Sequence, residues 1–209
     1  MARHDPLNTR RSEERLMRLI QERLQPGADK KCIDERIWDL FGEDWCVMFT
    51  DLSGFSRRVA EFGIIHFLQT IYESERLLIP VIDAHDGFVL KVEGDSLLAI
   101  FRNAHKCLQC ALAMHQTVSD YNVDRLDEEK VLLCIGLGHG PMLRIGDSDV
   151  FGAEVNAASK LGEDQAKAGE TLATGPFRRE CESLSGFAFE PLAQAPAGTD
   201  SAFRVSVTA

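Results

Sequence analysis

The chain has 209 residues, 44% apolar and 27% charged, enough for one globular domain with a sizeable core and a short appendage. Its 23 basic and 33 acidic residues leave a net charge of −10, which argues against nonspecific nucleic-acid or anionic-membrane binding as the main activity. No run approaches the roughly 18 consecutive apolar residues of a membrane helix, and Met1 to Pro6 lacks a signal-peptide core, so a cytoplasmic protein is expected.

From the N-terminus, Leu16, Leu19, Ile20 and Leu24 recur at helical spacing and stop at Gln25-Pro26-Gly27, which predicts an amphipathic helix. Up to Arg36 nine basic and seven acidic residues leave +2, against −12 in the remainder. This shift divides the chain into an N-terminal helical extension, residues 1–43, and a main domain, residues 44–209. Cys46 to Thr50 reads as a buried strand, Ile64 to Ala84 as a long helix interrupted near Pro80, and Phe88 to Val92 as a strand. Glu93-Gly94-Asp95 then turns into a strand over Leu97 to Phe101. Asn103 caps a helix striped by Cys107, Leu108, Ala111, Leu112 and Val118. Val131 to Leu137 reads as a strand leading to a Gly-rich turn, Ala153 to Ala166 as a helix, and Glu170 to Ala173, Phe187 to Phe189 and Phe203 to Val207 as strands. The order βαββαβ followed by αβ predicts an α+β fold, a ferredoxin-like split βαβ sheet with helices on one face and a C-terminal αβ elaboration.

The six scattered cysteines read as buried thiols of a reducing compartment, the Cys107/Cys110 pair included. There is no G-x-x-x-x-G-K-[ST], and Gly136, Gly138 and Gly140 do not make a dinucleotide-binding fingerprint, so they read as tight-turn or close-packing glycines. Two aspartates stand out. Asp51 follows an apolar strand and opens a loop into a helix N-terminus, and Asp95 sits at a hairpin tip. In a split βαβ fold both can reach one sheet edge, where two carboxylates hold Mg²⁺ or Mn²⁺. A helix cap and a turn would select the same residues.

The run Phe49-Thr50-Asp51-Leu52-Ser53-Gly54-Phe55-Ser56 resembles the F-x-D-[IL]-x-G-F-[ST] motif of class III nucleotidyl cyclases, the adenylate and guanylate cyclase catalytic domains. Three further blocks resemble that family in the same order: Gly87 to Asp95, Ile135 to Gly140, and Asp149 to Leu161. The likeness spans residues 44–175. It implies a homodimer with composite sites that converts ATP to cyclic AMP and pyrophosphate by two-metal-assisted attack of the ribose 3′-hydroxyl on the α-phosphate. Asp51, the Leu52 carbonyl and Asp95 would hold two divalent ions, Mg²⁺ or Mn²⁺, while Ser53, Gly54 and Phe55 would cradle phosphate. From the partner subunit, Lys91 and Asp149 would read the base, Asn156 would orient the ribose, and Lys160 would face the transferring phosphate. Lys and Asp at the base positions match the adenine-selective members. Lys160 stands where active members typically carry an arginine, whose planar fork grips two phosphate oxygens. The segment between Gly140 and Asp149 is also shorter than the arm many cyclases use to embrace their partner. These two departures give a second reading: a cyclase homology domain of low or no turnover, acting as a nucleotide-binding or dimerising regulatory module.

Overall fold

The computed structural model describes residues 6–208, with side chains described for residues 10–54 and 59–208. Two helices, α1 (Pro6–Arg23) and α2 (Lys30–Phe41), precede β1 (Gly42–Leu52), α3 (Phe55–Phe62), α4 (Ile64–Ala84), β2 (Phe88–Glu93), β3 (Ser96–Phe101) and α5 (Ala104–Asn122). There follow β4 (Leu133–Ile145), β5 (Asp149–Phe151), α6 (Ala153–Lys160), β6 (Thr171–Thr174), α7 (Gly175–Glu180), β7 (Phe187–Pro191) and β8 (Ala202–Val207). The strands form one sheet in the order β2-β3-β1-β4-β6-β8-β7, with β5 paired to β4 off this path.

Alternation along β1 divides the core into two layers. Cys46, Met48 and Leu52 face the helix pair α4 and α5, where Phe67, Leu78, Ile82, Leu108 and Met114 are buried. Trp45 and Val47 face the other way, with Leu98 and Ile100, toward Val155 and Ala158 of α6. The split βαβ core therefore has its two helices on one face, and α6 of the C-terminal elaboration crosses to the opposite face.

Several details differ from the sequence reading. The glycines after Leu137 do not turn; β4 runs straight through them to Ile145, pairing with β1 from Leu133 to Leu143. Gly136, Gly138 and Gly140 alternate with buried residues, so all three lie on the α6 face, opposite Phe49, Val47 and Trp45. A Cβ on Gly136 would stand 2.0 Å from the Ala158 carbonyl oxygen, and one on Gly138 would stand 2.7 Å from that of Glu154. The glycines are there because the helix backbone rests on the strand. The long helix α4 continues through Pro80, which lies on the exposed side of the helix, where a freed carbonyl is open to solvent. The helix after Ala153 stops at Lys160 and widens into a π-helical turn, Leu161–Gln165, where Gly162 lies against the Gly136 amide and the Phe49 carbonyl. Two short-signal helices, α2 and α7, were not anticipated. Five of the six cysteines are buried and Cys32 is exposed.

The α1–α2 hairpin packs on the far end of β4, where Leu19, Ile33, Ile37 and Phe41 enclose Ile145. Against the middle of β4, Glu154 of α6 is buried, 7% exposed, and accepts from the Thr174 hydroxyl at 2.5 Å and the His139 amide at 3.4 Å. Burial, partly offset by those bonds, raises its pKa. A raised folded-state carboxylate pKa means that folding favours the protonated form, so this stabilisation is present below the ordinary glutamate range and is lost as pH rises through the raised value. Glu154→Gln keeps an acceptor without the charge; its Tm advantage over the wild type is expected to grow from acid to neutral pH. Melting curves over that range check this, and a constant difference would contradict it.

Candidate active site

The first carboxylate comes from β1. Asp51 lies one residue beyond the Thr50–Leu97 pair, on the α6 face of the sheet, where the Ser96 hydroxyl donates to it at 3.4 Å. Asp95 sits at the tip of the β2–β3 hairpin after Gly94, whose φ of 60° belongs to the left-handed region that suits glycine. The Leu52 amide hydrogen-bonds toward both carboxylates, which places them side by side. Burial, then the neighbouring charges of Asp95 and Glu163, push the Asp51 carboxyl up to about 7; burial also raises Asp95. Among the described residues neither carboxylate has a basic ion-pair partner.

Two adjacent, half-buried, uncompensated carboxylates suit a divalent cation, whose charge would lower both pKa values. No group of three or more His, Cys, Asp or Glu side chains among the described residues is set to hold a metal. Ligands beyond this pair would therefore come from the Leu52 carbonyl, water or substrate oxygens. The loop that follows leads into α3. The Ser53 amide donates to the Leu132 carbonyl at 2.8 Å, and the first amides of a helix, which have no intrahelical acceptor, are suited to meeting an anion. The side chain of Phe55 lies outside the described residues.

The second group gathers on the same sheet face. A bulge between Val89 and Lys91 slips the β2–β3 register, so that Lys91 stands directly opposite Leu98 rather than pointing into the helix-covered layer. There its ammonium meets Asp149 at 2.6 Å and Glu93 at 3.5 Å. The hydrogen bond that the Lys91 ammonium donates to Asp149 is the largest cause of its raised pKa. Lys91 and Asp149 line a cleft of about 260 Å³ with Phe49, Leu98, Val155 and Phe151 as apolar walls, and Ser96 and Glu163 toward the Asp51 side.

Asn156 and Lys160 share the outer face of α6, one turn apart and outside the cleft lining; the Asn156 amide donates to the Ala197 carbonyl at 3.3 Å. Thus Asp51 joins Asp95, and Lys91 joins Asp149, while Asn156 and Lys160 stand apart from both pairs in one chain. Glu163 and Ser96 were missed. Glu163 reaches the cleft only because the π-helical turn shifts its direction, and Ser159 holds its carboxylate at 2.8 Å.

Residues 42–178 match the family described as Adenylate and Guanylate cyclase catalytic domain. An adenylate cyclase of Streptomyces coelicolor is 28% identical over 139 residues, 66% of this chain and 32% of that protein. The serine/threonine-protein kinase pkn2 of Myxococcus xanthus is 30% identical over 130 residues, 61% of this chain and 15% of that protein. The chain thus spans a minor part of these relatives' lengths. The crystal structure of an adenylate/guanylate cyclase/hydrolase from Silicibacter pomeroyi superposes with a TM-score of 0.65 at 24% identity, covering 78% of this chain and 95% of that one. With a matched segment of well over half its residues, carrying both the carboxylate pair and the Lys–Asp pair, the chain belongs to the class III nucleotidyl cyclase catalytic domain family.

Proposed function

We propose that the protein converts ATP to cyclic AMP and pyrophosphate at sites formed between two copies of the chain. The observation that carries this reading is the Lys91–Asp149 pair at 2.6 Å in the cleft wall. An adenine edge presents an accepting ring nitrogen beside a donating amine, and guanine presents the reverse at both places. Lys91 has three N–H donors; with Asp149 and Glu93 taking two, one is left for the ring nitrogen, and Asp149 keeps accepting capacity for the amine.

In this reading Asp51, Asp95 and the Leu52 carbonyl of one protomer bind two divalent ions, Mg²⁺ or Mn²⁺. When bound, these ions supply Lewis-acid activation of the 3′-hydroxyl and neutralise phosphate charge. The Ser53-Gly54-Phe55 loop holds the phosphates at the start of α3. The partner subunit contributes the base pocket. Its Asn156 orients the ribose and its Lys160 faces the α-phosphate, where the new oxygen–phosphorus bond forms as the bond to pyrophosphate breaks. A second copy supplies what one chain leaves apart, since Asn156 and Lys160 lie outside its cleft.

Lysine at 160 retains the charge but not the two-pronged grip of arginine. Lys160→Arg is therefore expected to raise kcat at least about tenfold with KM for ATP little changed, within the range an arginine contributes to phosphoryl transfer. Steady-state kinetics check this; an unchanged or lower kcat would remove Lys160 from the phosphate. The proposal itself is tested by incubating purified protein with Mn²⁺ and either ATP or GTP. Cyclic AMP formation well above cyclic GMP formation is expected, and the opposite preference, or no cyclic product, would overturn it.

A further inference from the structure

The N-terminal helices lie outside the family match, yet they touch the strand pair that carries one of the base-reading groups. β1 pairs with β4 only as far as Leu143, so Arg144 and Ile145 extend beyond the body of the sheet. β5 has three residues and, among the described residues, pairs with β4 alone. Its last rung sets Ile145 directly opposite Asp149. What fixes that rung is the α1–α2 hairpin. Ile145 is 2% exposed, enclosed by Leu19 of α1 and by Ile33, Ile37 and Phe41 of α2. In the turn between the strands, the Ser148 hydroxyl lies 2.9 Å from the Glu13 carboxylate of α1. The two helices are tied to each other by Arg23 and Asp34 at 2.6 Å.

We propose that the α1–α2 hairpin is a positioning element for purine recognition: it holds the Ile145–Asp149 rung, and through it keeps Asp149 on Lys91. This rests on the base-reading role given to that pair above. The physical reason is leverage. A two-stranded ribbon is only marginally ordered by itself, and the ion pair depends on geometry at the scale of an ångström. Released from its apolar socket, Ile145 would let Asp149 move off the ammonium, weakening adenine selectivity while leaving Asp51 and Asp95, on the far side of the cleft, as they were.

The test uses the full chain and calorimetric binding of 3′-deoxy-ATP and 3′-deoxy-GTP with Mn²⁺, ligands that lack the attacking hydroxyl. Leu19→Ala is expected to lower the ATP-over-GTP affinity ratio by about tenfold, the scale of one well-placed hydrogen bond, and Leu19→Met to restore it. Binding of Mn²⁺ alone should not change. In an Asp149→Ala background, Leu19→Ala should cause no further change in the ratio, because both act through one group. Additive effects, or an unchanged ratio in Leu19→Ala when Asp149→Ala does change it, would overturn the inference. Should Leu19→Ala not fold, Ser148→Ala in the exposed turn carries the test, with a smaller drop expected and no drop contradicting it. If Asp149→Ala itself leaves the ratio intact, the base-reading role falls and this inference falls with it, which tells the two failures apart.

Discussion

Asp51→Asn is expected to abolish cyclic AMP formation, by on the order of 10³ or more, while making the metal-free protein more stable. Both effects come from the same feature. The Asp51 carboxyl is held in a half-buried position beside Asp95 and near Glu163, which pushes it up to about 7. Without a cation, that arrangement costs folding free energy, because a charge is kept partly from water beside like charges. Removing the charge relieves the cost; allowing for solvent screening of a half-exposed group, the gain is roughly 1–2 kcal/mol, or a few degrees in Tm. With Mn²⁺ and nucleotide added, the order reverses, since only the wild type gains stability by binding them. Melting curves with chelator and with Mn²⁺ plus 3′-deoxy-ATP check both halves. A variant less stable than the wild type in chelator would contradict the electrostatic part, and one that keeps turnover would contradict the ligand assignment.

Gly136→Ala is expected to be among the most damaging substitutions in the chain although it adds one methyl group. That methyl would stand 2.0 Å from the Ala158 carbonyl and 2.5 Å from the Gly162 amide. Neither neighbour is the end of a flexible side chain; both are backbone, so α6 and the π-helical turn would have to lift off the sheet. A loss of about 3 kcal/mol or more is expected, with activity lost as Asn156, Lys160 and Glu163 move together. Gly169→Ala is the comparison. Gly169 has a φ of 81° and nothing within 4 Å of a built Cβ, so only backbone strain applies, about 1 kcal/mol. Circular-dichroism melts of the two variants separate contact from strain, and equal losses would contradict the close-approach account.

The sequence and the structure part company at identifiable places. The βαββαβ order, the span of α4 and the hairpin around Asp95 were legible because each rests on local periodicity and turn chemistry. The glycines at 136, 138 and 140 read equally as a tight turn or as close packing, and close packing is what the structure has, because a strand buried beneath a helix backbone needs the same residue that a turn does. Lys91 was singled out through a motif, but the bulge at Leu90 that turns it toward Asp149 has no sequence signature: regular alternation from Leu90, which faces α6, would have aimed it at the other layer. Glu163 was invisible for a similar reason, since its direction is set by a π-helical turn that packs on Gly136. The role suggested for α1 and α2 depends on which strand end they cover, a tertiary fact that amphipathic spacing alone does not encode.

The composite site makes a demand on two chains that one mixing experiment can meet. Asp51→Asn retains the base pocket and lacks the metal site; Lys91→Glu does the reverse. Each variant alone is expected to form no cyclic AMP from ATP. Mixed in equal amounts and allowed to exchange subunits, half the dimers pair the two variants and contain one intact site of two, so roughly a quarter of the wild-type rate should return. A mixture that stays at background while the wild type is active would contradict the account, because the carboxylates and the base-reading pair would then have to act within a single chain.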